Sequence, residues 1–193
     1  MPFRPTYPIE TRRLLLRPLC EGDLEALLDF HSLPAVHRFL PMGPMDAASI
    51  MQRITTGPWS RASLEAEGDS IVLGVEVAAT GELVGDAMLR WVSDTNRCGE
   101  VGYVFNPRHA GHGYATESVT EILRMAFDDF GLHRVIARID AQNAPSLALA
   151  ERVGMRREAH FIESWWHNEE WADEIDLAIL TSEWGVLRAS DHE

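Results

Sequence analysis

The sequence predicts a single α+β domain in which a three-stranded antiparallel meander leads into alternating helices and strands. Two observations carry this. Ile71, Leu73, Val75 and Val77 alternate with period two, and the turn signals Thr80-Gly81 and Asp94-Thr95-Asn96 divide the stretch that follows into strands over 83–91 and 100–105. Beyond residue 114 the period becomes helical. Ala115, Val119, Ile122, Leu123, Ala126, Phe127 and Phe130 fall on one face, and Gly131 stands where a left-handed cap would end the helix.

The other elements follow in chain order. Pro2, Pro5 and Pro8 make residues 1–8 an extended arm. An apolar run at 13–17, bounded by Pro18, is a strand, and behind Asp23 the residues Leu24, Leu27, Leu28 and His31 share one helical face. Pro34, Pro41 and Pro44 break the chain into short pieces before Asp46, a fitting N-cap for a helix to about residue 54. After the long helix, 134–140 reads as a strand. Asn143 caps a shorter helix to residue 153, with Pro145 in its first turn and Gly154 just past its end. Two last strands are expected over 156–163 and 174–181, and 186–193 as a tail. No repeat, low-complexity tract or break in composition divides 1–193 into a second domain.

Composition excludes several chemistries. All 17 basic residues are arginine, against 30 acidic ones, for a net charge of −13. Without lysine there is no Schiff-base chemistry and no phosphate-loop lysine. The acidic balance argues against general nucleic-acid binding, which needs basic surface to release counterions. No apolar run approaches the ~18 residues of a membrane span, and the amino terminus lacks the apolar segment of a secretion signal. Cys20 and Cys98 form no disulfide framework, the eight histidines show no metal-ligand spacing, and the expectation is a cytoplasmic protein without a metal.

The most informative stretch is Asn106-Pro107-Arg108-His109-Ala110-Gly111-His112-Gly113-Tyr114-Ala115-Thr116-Glu117, between a predicted strand and the long helix. Gly111 and Gly113 allow close backbone approach or positive φ. The first amides of the helix point outward at the positive end of its dipole, which suits a phosphate without any lysine. A tight strand-to-helix turn with no ligand would use the same residues. The spacing is not a dinucleotide fingerprint, since the third glycine is missing.

Arg108-x-x-Gly111-x-Gly113 resembles the acyl-CoA-binding signature of the GNAT superfamily of N-acyltransferases, written Arg/Gln-x-x-Gly-x-Gly/Ala. Asn143-Ala-Pro-Ser146 with Val153-Gly154-Met155 resembles the Asn-x-x-Ser…Val-Gly-Phe segment of its Rim-like branch, and Arg12-Arg13-Leu14-Leu15-Leu16-Arg17-Pro18 that branch's opening strand. The likeness extends over about residues 9–185. It implies a GNAT fold, with a mixed, mostly antiparallel sheet of about six to seven strands. It also implies acetyl-CoA or another short acyl-CoA as co-substrate, a primary amine acceptor (a protein N-terminus or a small molecule) and a homodimer.

By the same resemblance, the amides of Gly111 to Ala115 hold the pyrophosphate, with Arg108 and His112 beside it and Tyr114 and Thr116 in the same turn. The edge of Tyr103, Val104 and Phe105 pairs with the pantetheine arm and polarises the thioester. Asn143 bonds that arm, and Ser146 lies near the sulfur as proton donor to the leaving thiolate. His112 stands where the family usually carries Lys or Arg, which would weaken phosphate attraction and make it pH-dependent. Glu100, on the strand entering the signature, is the leading candidate for general base working through water. Glu76 and Asp69 are weaker ones. Ser146 could instead serve only its own helix terminus, and each carboxylate could be a solvated strand charge. Trp165, Trp166 and Trp171 with the acids around them suit core, a dimer contact or the rim of a cationic-acceptor site. The reading is direct amine attack in a ternary complex; the alternative is a GNAT-fold acyl-CoA-binding module with little catalysis.

Overall fold

Period-two patterning in the central strands produces a sheet covered on both faces. The computed structural model describes residues 2–167 and 169–190. In chain order, β1 (Ile9–Glu10) and β2 (Leu14–Pro18) precede α1 (Leu24–His31), α2 (Pro34–His37) and α3 (Ala47–Thr55). The meander is β3 (Ser70–Val77), β4 (Glu82–Ser93) and β5 (Cys98–Phe105). Next come α4 (Tyr114–Arg124), β6 (Arg134–Asp140) and α5 (Ala144–Arg152). The hairpin β7 (Arg156–His167) and β8 (Glu170–Leu180) and then α6 (Thr181–Ser190) complete the described chain.

Eight strands form one sheet in the order β1-β2-β3-β4-β5-β6-β8-β7, parallel only where β5 meets β6. The fold is the expected mixed, mostly antiparallel one, with one or two strands more. The extra strand is β1, too short for a periodicity argument, which pairs Ile9 with Leu16 and Glu10 with Leu15. The arm before it is docked rather than loose: Phe3 is buried, bridges to Leu64, and stacks on Phe130 with ring centroids 4.9 Å apart. At the other end, the expected tail from residue 186 is a helix as far as Ser190; residues 191–193 lie outside the described residues.

Alternation decides which core each side chain joins. Ile71, Leu73, Val75 and Val77 face the larger core with α4 and α5, whose Val119, Ile122, Leu123, Leu147 and Ala150 are buried there. Val72 and Leu83 face the smaller one, closed by Leu27 and Phe30 of α1, Ile50 and Ile54 of α3, and Trp59. Asp46 caps α3 as expected, its carboxylate accepting from the Ser49 amide at 2.8 Å. The long helix α4 widens at its end into a π-type turn, Met125–Asp129, before Gly131 at φ +76° reverses the chain.

One local mismatch creates the site. β5 and β6 pair only from Cys98 to Glu100 against Arg134 to Ile136. Val101 to Phe105 keep β4 on one side and have no strand on the other. The Tyr103 hydroxyl reaches across the gap to donate to the Ser146 carbonyl of α5 at 2.9 Å. A tyrosine side chain therefore spans the place where paired strands would lie ~4.8 Å apart.

Candidate active site

The gap beside β5 opens into a cleft of about 910 Å³. Tyr103, Val104 and Phe105 form one wall, Gly111 and Gly113 to Thr116 the floor, and Asn143, Ser146 and Arg152 the far side. Gly111 and Gly113 take φ of +82° and +77°, a conformation that costs an L-residue roughly 1–2 kcal/mol. The first bond closing α4 runs from the Glu117 amide to the Gly113 carbonyl. The amides of Tyr114, Ala115 and Thr116 thus have no partner within the helix and face the cleft at the positive end of the dipole.

Arginines supply the charge that lysine does not. Arg13, at the start of β2, lines the cleft and holds the loop from outside. It donates to the His112 carbonyl at 2.9 Å and to the Glu117 carboxylate at 2.7 Å, and its guanidinium lies 4.9 Å from the centre of the Tyr114 ring. Burial alone would raise the Glu117 carboxyl, but hydrogen bonds from Thr11 and Arg13 outweigh it and hold the group below its usual range. Arg152 of α5 donates to Thr116 Oγ1 at 3.3 Å, placing a second guanidinium on the cleft wall. An unpaired strand edge, free helix amides and two arginines fit a long ligand with an extended amide-bearing arm and a phosphorylated end, as acyl-CoA is.

A second cavity of about 400 Å³ meets the first at Phe39, Leu40, Tyr103 and Val104. It lies on the α1 side of the sheet and is acidic: Asp86, Glu100, Asp140 and Glu174 line it with Arg138 and His31. Burial, with Asp176 and Glu100 nearby, raises the Glu174 carboxyl above its usual range. Trp59 and Trp165 add apolar walls.

Comparison with known proteins assigns the family. The acetyltransferase (GNAT) domain family matches residues 13–156, three quarters of the chain. The chain belongs to the GNAT acetyltransferases. It is 31% identical over 176 residues to the uncharacterized N-acetyltransferase YnaD of Bacillus subtilis (strain 168), covering 91% of this chain and 98% of that one. An acetyltransferase of the GNAT family from Bacillus anthracis superposes with a TM-score of 0.80 at 30% identity, covering 90% of this chain and 98% of that one. A Vibrio cholerae spermidine N-acetyltransferase, solved in complex with CoA and spermine, shares the fold with a TM-score of 0.76 at 22% identity, covering 90% and 99%.

Within this GNAT acetyltransferase, the predicted site residues fall into three groups. Tyr103, Val104, Phe105, Gly111, Gly113, Tyr114, Ala115, Thr116, Asn143 and Ser146 all line the larger cleft. Glu100 is in the smaller cavity, with Arg90 3.8 Å from its carboxylate. Arg108 and His112 line neither cavity. The Arg108 guanidinium turns outward onto Asp29 at 2.9 Å, and His112 stacks on Tyr114 with its Nδ1 3.1 Å from the His109 carbonyl. Both shape the loop from its outer side.

Glu76 and Asp69 stand apart from both cavities. Glu76 accepts from Arg17, which also binds Asp23, and Asp69 accepts the amides of Glu65 and Ala66 and pairs with Arg61. The Asn143 side chain caps α5, its Oδ1 accepting from the Ser146 amide at 3.3 Å. Ser146 contributes its backbone to that cap and to Tyr103, and its hydroxyl has no hydrogen-bond partner among the described residues.

Arg13 and Arg152 are the residues that sequence reasoning missed at the cleft. Arg13 reads as the first residue of an apolar strand, and its partner Glu117 is 104 positions away. No local pattern could join them.

Proposed function

We propose that this GNAT enzyme transfers an acetyl or other short acyl group from acyl-CoA directly to the primary amine of a cationic acceptor. The observation that carries it is the unpaired stretch of β5, which passes between the two cavities and touches both. A pantetheine arm laid along Tyr103 to Phe105 as an added strand would bring its thioester to the mouth of the acidic cavity. Backbone N–H groups of β5 would then polarise the thioester oxygen where negative charge develops.

Two further demands of aminolysis meet residues of the cavities. The attacking amine must shed its protons as the amide forms, and Glu100 faces the cavity where a water could carry one of them to its carboxylate. The leaving thiolate needs a proton, and the Ser146 hydroxyl lies in the cleft uncommitted, whereas the Tyr103 hydroxyl is engaged with the Ser146 carbonyl. Cys20 and Cys98 line neither cavity, which supports attack in a ternary complex over a covalent acyl-enzyme. The carboxylates around the second cavity suit an acceptor that arrives as an ammonium ion. The Asn143–Ser146 and Val153–Met155 segments support the Rim-like reading, in which the acceptor is a protein N-terminus or a small amine. The cavity's volume of about 400 Å³ favours a small amine or the first residues of a peptide.

The test is an acetyl-transfer assay with spermine, spermidine and short peptides on wild type, Ser146→Ala and Glu100→Gln, with acetyl-CoA titrated calorimetrically alongside. Each variant should lose about 10²–10³-fold in kcat while keeping acetyl-CoA affinity. Wild-type protein that binds no acetyl-CoA would end the proposal.

A further inference from the structure

A chain of buried polar side chains runs into the wall of the acidic cavity. His37 of α2 places Nδ1 2.9 Å from the Met42 carbonyl, and its Nε2 lies 3.3 Å from His31 Nδ1. His31 of α1 in turn places Nε2 2.7 Å from Asp86 Oδ2 on β4. The two imidazoles are 2% exposed and Asp86 is 5% exposed, yet Asp86, His31 and Met42 all line the cavity. Phe30 and Trp59 pack against the His31 ring, with centroids 4.5 and 5.0 Å away.

Counting hydrogens fixes what this chain contains. A carbonyl oxygen only accepts, so His37 Nδ1 carries a hydrogen. Three consecutive hydrogen bonds need three hydrogens. Two neutral imidazoles and a carboxylate supply two. Satisfying all three contacts as hydrogen bonds therefore takes one extra proton, shared between Asp86 and the rings, which would make the unit electrically neutral. Without it a nitrogen lone pair would face a carboxylate oxygen at 2.7 Å, or an equivalent gap would open elsewhere in the chain.

We propose that Asp86 takes the proton of the acceptor ammonium, with His31 and His37 as positioning residues that store it. This rests on the acyl-transfer reading above. In the proton-deficient chain, an ammonium entering the cavity gives up one N–H proton to the Asp86–His31 pair, completing the third hydrogen bond. The freed nitrogen lone pair attacks the thioester carbon, the C–S bond breaks, and the thiolate leaves with the electron pair and receives the amine's second proton by way of Glu100 and Ser146. Ammonium and thioester become amide, thiol and one proton, which the chain returns to water through the cavity. The charged groups around the chain are Glu100 on β5, Asp140 and Arg138 on β6 and Glu174 on β8, which line the same cavity, with Arg53 of α3 over the Trp59 ring. Burial lowers the proton affinity of His37.

Asp86→Asn separates this role from a structural one. The asparagine amide can donate to His31 Nε2, so all three hydrogen bonds persist with neutral rings and no proton to exchange. Protein labelled with ¹⁵N-histidine should show the wild-type ring nitrogens of His31 and His37 gaining one proton together as pH falls. In Asp86→Asn they should stay neutral with His37 protonated at Nδ1. In the same preparations, kcat/KM for whichever of spermine, spermidine or an alanyl peptide is acetylated should fall about 100-fold in Asp86→Asn. Its rising pH limb should vanish while the acetyl-CoA Kd is unchanged. Glu100→Gln should keep that limb. An Asp86→Asn enzyme within threefold of wild type, rings that titrate separately, or a limb lost only in Glu100→Gln overturns the proposal alone. Wild-type protein that neither binds acetyl-CoA nor transfers acetyl overturns the acyl-transfer reading and this proposal with it.

Discussion

Arg13 and Glu117 tie the chain just before β2 to the helix that begins at the larger cleft. Arg13→Ala removes a guanidinium from the cleft and a clamp from the His112 carbonyl. Acetyl-CoA affinity should fall about tenfold by calorimetry, roughly 1.4 kcal/mol. Glu117 carries a pH signature of its own. Its carboxyl is depressed in the folded state, so its stabilisation is complete above the ordinary glutamate range and is lost as pH falls through the depressed value. Glu117→Gln should therefore lower the melting temperature at neutral pH and reduce its drop on acidification. Melts of both proteins from pH 3 to 7 would show the curves converging toward acid. A constant gap would mean the carboxylate's charge contributes nothing.

At the scale of elements, the edge of β5 depends on a residue of the neighbouring strand. A Cβ on Gly85 of β4 would lie 2.5 Å from Phe105 Cδ1 and 2.6 Å from the Val104 carbonyl. Gly85→Ala should cost about 1–3 kcal/mol in denaturant unfolding. It should also weaken acetyl-CoA binding by shifting Val104 and Phe105, a coupling absent from a purely structural glycine. The elements that sequence revealed and those it hid divide on physical grounds. The meander, β6, and both capped helices α3 and α5 were legible, since each has its own periodicity, turn or cap within a few residues. The reach of β7 and β8 toward residues 167 and 170 was not, as their tips carry exposed Trp166 and Trp171 in place of an alternating pattern. Helix α6 begins within a stretch read as strand, and β1 offers two residues. In the site, the glycine loop and β5 edge were legible because the chain there is continuous. Arg13, Arg152 and the Asp86–His31–His37 chain join elements distant in sequence, and His31 read as one more member of an apolar helix face.

Over the whole molecule, acidity is uneven in its consequences. On the proposed reading, the net charge of −13 and the carboxylates of the smaller cavity would draw a cationic acceptor inward, while two arginines would locally offset the repulsion of a phosphorylated co-substrate. Screening shortens from ~10 Å at 0.1 M salt to ~3 Å at 1 M. Raising salt over that range should lower kcat/KM for a polyamine several-fold and leave a neutral-bodied monoamine far less affected. Equal loss for both acceptors would place the attraction in local contacts alone.

The short register between β5 and β6 has a further consequence, for motion. A strand held on one side only exposes its amide hydrogens to solvent and opens at little cost. Deuterium exchange of residues 101–105 should be fast in the free protein, out of step with the central strand beside it, and should slow when acyl-CoA is added. The seam would then be sealed by a guest rather than by the polypeptide, and the protein's own rigidity would rise and fall with each catalytic turnover.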